Sequence, residues 1–355
     1  MKKRGAVFAN RVFLLSILCA QFLIYGFVIL GVSDIMALQF ITEVLLVLPG
    51  VVFLLMQRKS IRESIGVRKI SVKQLLLLIP IAICIDKIAE LFNLLSQLFT
   101  QNEVGGYMAD LVVKYPFLIA FFVIAVEPAV CEELVYRGVV YQGYRRGRIL
   151  TAALVSALLF GLMHMNLNQF VYAFVIGVLF ALVNEAVGSI VPSVLIHVYI
   201  NGRSVVLLYV VINFLKELHN KYIAAELAGD TKTMELLKEL SEGLPIQSEN
   251  WLEEYLNSGT GEVVTMLPYT IVTSVIAVIV LFFLIRALAR ISGREEHLKA
   301  IFRQKQTAPA ASETVSEDEN PVAGGVQAEE QVSGFYFVTP SLVIGVLICV
   351  VMMFL

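Results

Sequence analysis

The sequence predicts an all-α, polytopic transmembrane helix bundle. Hydrophobic residues make up 58% of the 355 residues, charged residues make up only 16%, and the mean hydropathy is +0.81. A soluble domain of this size could not bury so much apolar surface, so the composition indicates an integral membrane protein. The apolar residues occur in long runs separated by polar segments, which is the pattern of membrane-spanning helices.

Nine apolar runs approach the ~20 residues that an α-helix needs to cross a bilayer. The candidate spans are 12–32, 36–56, 74–98, 115–140, 149–166, 169–187, 189–213, 266–289 and 335–355. The last run follows a polar tail, so we expect eight or nine transmembrane helices. The first run is longer than the apolar core of a cleaved signal peptide, and we expect it to be retained as a helix.

Basic residues in the short loops predict a cytoplasmic N-terminus. Lys and Arg are concentrated in 57–73, near Arg145 and after 285. All three segments fall on one side of the membrane if every candidate run spans it, and basic loops favour the cytoplasmic side. We expect the plasma membrane as the location and the lipid bilayer as a partner. The net charge of -2 gives no basis for nucleic-acid binding.

These spans divide the chain into regions with different expected roles. We expect an N-terminal hairpin at 1–56, a basic cytoplasmic loop at 57–73, a central intramembrane bundle at 74–213, an acidic helical extramembrane insertion at 214–265, a helix at 266–289, a cytoplasmic and partly disordered linker at 290–334, and a C-terminal helix at 335–355.

The acidic insertion leaves two interpretations open. Residues 226–240 have helical spacing of apolar side chains, and 250–255 could form a second short helix with Trp251 near the interface. The insertion is either a solvated helical hairpin or a cap that gates substrate or docks a partner. Within the linker, 306–334 contains no Lys or Arg, and its composition predicts disorder.

Three polar groups interrupt the central apolar runs. They are the pair Glu132 and Glu133, then His164, then His197 with Asn201. Ionisable side chains at membrane depth are costly and are therefore candidates for function. Asp86, Lys87 and Glu90 form a further polar group in the third span, which we interpret as pairing with Arg203 or as lining a cavity.

The spacing of these residues suggests how they act. Glu133 and Arg137 are four residues apart and can pair on one helix face, which leaves Glu132 free to accept a proton from water. His197 and Asn201 share a helix face and can donate two hydrogen bonds to an oxyanion. Purely structural interpretations also remain, namely an intramembrane ion pair with a spare carboxylate, and a polar clamp between helices.

The depth of Glu132 limits this interpretation. If its helix ended at 140, Glu132 and His164 would differ in depth by ~22 Å, at 1.5 Å per residue. We therefore predict that the helix continues to about Gln142. We also predict a kink at Pro128, because proline removes a backbone donor within a helix.

Three motifs in this order resemble the CPBP family, the CAAX-protease and bacteriocin-processing group that is also called Abi and includes the type II CAAX prenyl endopeptidases. The motifs are Glu132-Glu133-Leu134-Val135-Tyr136-Arg137, Phe160-Gly161-Leu162-Met163-His164 and His197-Val198-Tyr199-Ile200-Asn201. The resemblance covers roughly 115–205.

The resemblance implies an α-helical intramembrane endopeptidase. It assigns Glu132 as the base that activates water, and His164 as the residue that orients this water. It assigns His197 and Asn201 to the oxyanion, and Glu133 with Arg137 to the scaffold. The implied substrate is a membrane-embedded or lipid-anchored protein or peptide.

The resemblance leaves the chemistry open between glutamate alone and zinc. Glu132, His164 and His197 would provide a His₂Glu set for zinc with an open fourth position. The chain has no His-Glu-x-x-His motif, and we favour the glutamate-only mechanism. The rival function is a non-catalytic membrane scaffold, self-immunity protein or transporter that uses the same polar residues structurally.

Overall fold

The computed structural model describes residues 2–56, 60–100, 103–145, 148–242, 244–248, 250, 263–303 and 338–354. Within these residues the chain forms 13 helices and no strand, which confirms the predicted all-α class. The predicted helix at 250–255 and the predicted disorder at 306–334 lie outside the described residues, apart from Asn250.

Two of the helices contain π-helical turns. Helix α1 consists of Lys2–Leu18, the π-turn Cys19–Leu23 and Ile24–Ile29. Helix α6 consists of Phe117–Phe121, the π-turn Phe122–Val126, Glu127–Glu133, the π-turn Leu134–Val140 and Tyr141–Arg145. The others are α2 (Ile35–Met56), α3 (Ile61–Ser64), α4 (Val72–Gln97), α5 (Glu103–Lys114), α7 (Ile149–Met163), α8 (Leu167–Val187), α9 (Val191–Ala228), α10 (Thr231–Leu240), α11 (Val263–Ile291), α12 (Glu295–Arg303) and α13 (Pro340–Met353).

Helices occupy all nine predicted spans, although their lengths differ. Five are long and apolar enough to cross a membrane by length and composition, namely those containing Arg4–Ile29, Ile35–Met56, Leu167–Val187, Val191–Ala228 and Met266–Ile291. Helix α4 has 26 residues but includes charged side chains, and α7 and α13 are apolar but have only 15 and 14 residues.

Helix α1 begins ten residues before the predicted first span, at Lys2. Two polar side chains, Asn10 before the span and Ser16 within it, are buried in the bundle. Asn10 is fully buried, and its side chain bonds those of Tyr144 and Thr339. Close contact with α6 is possible because Gly5 faces Gly143, where a Cβ atom would lie 2.7 Å from a backbone oxygen.

Helix α9 likewise continues beyond the predicted end of the seventh span at residue 213. Helix α9 continues without interruption for 38 residues to Ala228, a length of about 57 Å at 1.5 Å per residue. No glycine or proline occurs between 203 and 228, so no residue there breaks the helix. The break comes at Gly229, which has a φ of +68°, and the Asp230 side chain then caps α10. The helix predicted across 226–240 is therefore interrupted near its start.

The basic segments of the chain lie at one end of the bundle. Arg145, Arg294 and His297 all reach the buried carboxylate of Glu185 at the end of α8. Ser189 lies four residues after Glu185, and its hydroxyl accepts a hydrogen bond from the backbone N–H of Arg68. The segments around 68, 145 and 294 thus share one end of the bundle. The side of the membrane that this end faces stays a prediction.

Candidate active site

The predicted site residues surround one cavity inside the bundle. Its volume is about 620 Å³, and Glu132, His164, His197 and Asn201 all line it. These four side chains come from α6, from the C-terminal end of α7 and from α9. The structure therefore brings together residues that are up to 69 positions apart in the sequence.

The length of α6 explains why these residues meet. The helix runs to Arg145, slightly beyond the predicted end at Gln142. Glu132 lies thirteen residues before this end, which is about 20 Å of helix. His164 lies fifteen residues beyond the start of α7, which is about 22 Å. Both residues therefore reach a similar depth from the end of the bundle where α6 and α7 are connected.

The buried ion pair of Glu133 and Arg137 supports the site from within α6. The Arg137 Nη1 atom donates to Glu133 Oε1 at 2.6 Å, and both side chains are almost completely buried. The guanidinium also lies 4.2 Å from the centre of the Phe160 ring and 5.1 Å from that of Phe180. Such cation–π contacts stabilise a desolvated arginine. The pairing expected from the four-residue spacing is present.

His197 lies between the two carboxylates. Its Nδ1 atom is 3.4 Å from Glu133 Oε1, and its Nε2 atom is 3.7 Å from Glu132 Oε2. A distance of 3.7 Å is too long for a hydrogen bond, so Nε2 remains free to interact with another group. The ring therefore has Nδ1 on the side of Glu133 and Nε2 on the side of Glu132, which lines the cavity.

His164 is held by its own helix in one tautomer. Its Nδ1 atom lies 2.9 Å from the backbone oxygen of Phe160. A carbonyl oxygen can only accept, so Nδ1 carries the proton and Nε2 of the neutral ring is an acceptor. An imidazole acceptor that lines the cavity can receive a hydrogen bond from a water molecule.

Asn201 also contacts the backbone of α6, which the sequence did not reveal. Its Nδ2 atom donates to the backbone oxygen of Ile124 at 3.3 Å. Ile124 lies four residues before Pro128, and proline has no N–H to bond that oxygen. One N–H of the Asn201 amide is therefore used for α6, and the other remains for a ligand. Two π-turns of α6 lie on either side of Pro128, Phe122–Val126 before it and Leu134–Val140 after it.

Sequence reasoning missed two buried acids in this region. Glu43 in α2 is 6% exposed and lines the cavity, and Glu127 in α6 is 7% exposed. Neither carboxylate has a basic partner among the described residues, and three of their four oxygens are buried without a hydrogen bond. Glu43 is the only charged residue in 36–56, which is the signal that could have identified it.

The polar group of α4 forms another part of the cavity wall. Arg203 Nε lies 3.0 Å from Asp86 Oδ2, and Lys87 bonds Glu90 at 2.6 Å. Asp86, Glu90 and Arg203 all line the cavity. Both interpretations made from the sequence, pairing with Arg203 and lining a cavity, therefore apply.

The residues do not fit the zinc alternative. In the part of the chain that the structure describes, no group of three or more His, Cys, Asp or Glu side chains is arranged to hold a metal ion. Glu132, His164 and His197 line one cavity without converging on a common point as a ligand set.

The fold and the site define a class of protein, a helical integral membrane protein with carboxylates and imidazoles inside the bundle. Residues 114–203 match the family model of the type II CAAX prenyl endopeptidases described as Rce1-like. This match confirms the resemblance over the segment that carries all three motifs. It indicates protease activity of the CAAX type, in a protein whose apolar helices place it in a membrane. Comparisons with curated proteins and with solved structures gave no match.

Proposed function

We propose that this protein is an intramembrane endopeptidase that hydrolyses peptide bonds with a water molecule activated by Glu132. The observation that carries the proposal is the shared cavity, which Glu132, His164 and His197 line from three helices. The Oε2 atom of Glu132 is buried and has no hydrogen bond among the described residues. A carboxylate in this state is available to take a proton.

The geometry supports a role for each residue. Glu132 takes a proton from water while the Nε2 atom of His164 accepts a hydrogen bond from the same water. The oxygen attacks the peptide carbonyl, and the resulting oxyanion receives hydrogen bonds from the free N–H of Asn201 and from Nε2 of His197. Glu133 and Arg137 position His197 and keep the charge near it fixed.

The proposed substrates are membrane-embedded or lipid-anchored proteins or peptides, processed as in CAAX-type or bacteriocin-type maturation. Many apolar residues line the cavity beside the acids, including Ile17, Leu46, Leu111, Met163 and Ile176. Such a lining suits a substrate with an apolar segment or a lipid chain.

We further propose a cytoplasmic N-terminus in the plasma membrane, with 214–265 on the opposite side.

Terminal-peptide proteomics on native membranes tests this function and requires no identified substrate. Wild type is compared with Glu132→Gln at matched expression, because the amide is nearly isosteric with the acid. We expect protein termini that are present with wild type and absent with the variant. If no terminus depends on Glu132 while His164 and His197 substitutions still cause a phenotype, the scaffold or immunity function replaces this proposal.

A further inference from the structure

Glu43 is a buried acid that faces the same cavity as Glu132 but comes from a different helix. Its side chain is 94% buried, its Oε2 atom has no hydrogen bond, and the residue lines the cavity. An unpaired polar atom buried in a protein costs about 1–3 kcal/mol, and more if it is charged. A structural role for Glu43 would require a partner that the described residues do not provide.

The packing of α2 on α6 places Glu43 at the level of Glu132. A Cβ atom on Gly50 would lie 3.7 Å from the side chains of both Val135 and Val139, so α2 contacts α6 there. Glu43 lies seven residues before Gly50, on the same face of α2, since seven residues make about two turns. Helix α2 also contacts Glu127–Glu133, which precede Val135 and Val139, so the two helices run in the same direction. Two turns before Gly50, Glu43 therefore lies in the neighbourhood of Glu132.

The charges of this region also connect the acids. Glu43 and Glu132 line the same cavity, and α2 packs against the part of α6 that contains Glu127 and Glu132. The basic groups of the site are already engaged, since Arg137 bonds Glu133 and His197 lies between Glu132 and Glu133. Among the described residues, Glu43 and Glu127 have no basic partner, and Glu132 has only the His197 ring at 3.7 Å. The three carboxyl groups cannot all be ionised, because most of their charge would lack compensation.

We propose, on the basis of the proposed function, that Glu43 is a second catalytic carboxyl group, the general acid that protonates the leaving amine. A protonated Glu43 and an ionised Glu132, which line one cavity from two different helices, divide the acid and base roles between two carboxyl groups. Glu127 does not line the described cavity and has no part in the reaction.

The proposed step is balanced. A water proton passes to Glu132, the water oxygen bonds to the carbonyl carbon, and the carbonyl π electrons move to its oxygen. The oxyanion then collapses, the C–N bond breaks, and the nitrogen takes the proton of Glu43. The products are a carboxylic acid and an amine. The proton held by Glu132 finally passes to Glu43, which restores the starting state.

The test uses two synthetic peptides that span a cleavage site mapped in wild-type membranes. One has the natural amide at the scissile position, and the other has an ester. Without an acid, an ester releases an alkoxide, whereas an amide would have to release the much more basic amide anion. Ester cleavage therefore needs less help from an acid. For Glu43→Gln in the full chain we expect a loss of at least ~10²-fold on the amide, the usual size of a general-acid contribution, and a far smaller loss on the ester.

Glu127→Gln is the matched control, because Glu127 is a second buried acid of the same cluster outside the cavity lining. We expect it to change amide and ester hydrolysis by the same small factor. Equal losses on amide and ester for Glu43→Gln, or the same amide-selective loss for Glu127→Gln, would overturn the proposal.

Infrared spectroscopy separates this proposal from the proposed function, since it needs no substrate. The purified wild-type protein should show absorption of a neutral carboxyl group that decreases in Glu43→Gln. Glu185→Gln, which removes a carboxylate surrounded by basic groups, should leave this absorption unchanged. If Glu43→Gln leaves it unchanged as well, Glu43 carries no proton to donate and the proposal fails, even if the protein proves to be a protease.

Discussion

Glu185 and Glu132 are buried to nearly the same extent, 4% and 6% exposed, but their surroundings are opposite. Glu185 accepts hydrogen bonds from Tyr141, Arg145, Arg294 and His297. Glu132 has one long contact, to His197, and an oxygen without a hydrogen bond. The difference separates two uses of a buried carboxylate: one that joins helices, and one that remains available for proton transfer.

The same contrast exists within one helix turn of α6. Glu133 is adjacent to Glu132 in the sequence, but it bonds Arg137 at 2.6 Å and has no exposed surface. Successive helix positions point about 100° apart, so one acid faces the packed arginine and the other faces the cavity. Substitutions at the paired and unpaired acids should therefore have different consequences.

The largest effect on stability should come from breaking the Glu133–Arg137 pair. Arg137→Met leaves Glu133 buried without its cation, and removal of one partner of a buried pair costs about 3–5 kcal/mol. We expect little folded protein, measured as the amount that remains monodisperse in detergent and by its thermal unfolding midpoint. Adding Glu133→Gln should restore much of the loss. A stable Arg137→Met single variant would show that the pair does not hold α6 in place.

A smaller loss of stability is expected at Glu185. In Glu185→Gln the basic side chains around it lose a charged acceptor, which costs about 1–3 kcal/mol in comparable hydrogen bonds. The unfolding midpoint should decrease, while the cleavage rate per folded molecule should not. Glu226→Gln, at an exposed position of α9, is the control and should unfold as wild type does. A selective loss of cleavage in Glu185→Gln would show that the paired site also takes part in the reaction.

The smallest effect is expected at Glu295, a partly exposed acid at the start of α12. Hydrogen bonds from Arg290 and Arg286 lower the pKa of Glu295 to about 2. A lowered pKa stabilises the fold above the unfolded-state value, about 4.3 for glutamate, and this contribution is lost as the pH falls towards 2. Midpoints of wild type and Glu295→Gln should therefore differ slightly at pH 7 and converge in acid. A difference that grows as the pH falls would have the wrong sign.

The sequence predicted which polar residues share one cavity better than it predicted where the helices begin and end. Glu132, His164, His197 and Asn201 were visible as polar residues in apolar runs, and the need for a longer α6 followed from the rise per residue. Hydropathy located the apolar spans but not the helix ends. Helix α1 begins before its span and includes Asn10, which bonds Tyr144 and Thr339 inside the protein. Helix α9 continues beyond its span through polar residues that no glycine or proline interrupts.

Glu43 shows why part of the site could not be predicted. It was visible as a single acid in an apolar run, but its significance depends on how α2 packs against α6. That register is set by contacts such as Gly50 with Val135 and Val139, which no local pattern specifies. The contact of Asn201 with the Ile124 oxygen likewise depends on the approach of α9 to the turn before Pro128.

The most direct test of the contrast is the cleavage rate of Glu132→Gln and Glu185→Gln, measured side by side on equal amounts of folded protein in liposomes with a peptide substrate mapped by proteomics. We expect Glu132→Gln to lower the rate by about 10²–10⁴-fold without a loss of stability, as for other general bases. Glu185→Gln should keep the wild-type rate and lose only stability. Retained cleavage in Glu132→Gln, or equal losses of rate in both variants, would contradict the assignment of Glu132 as the base.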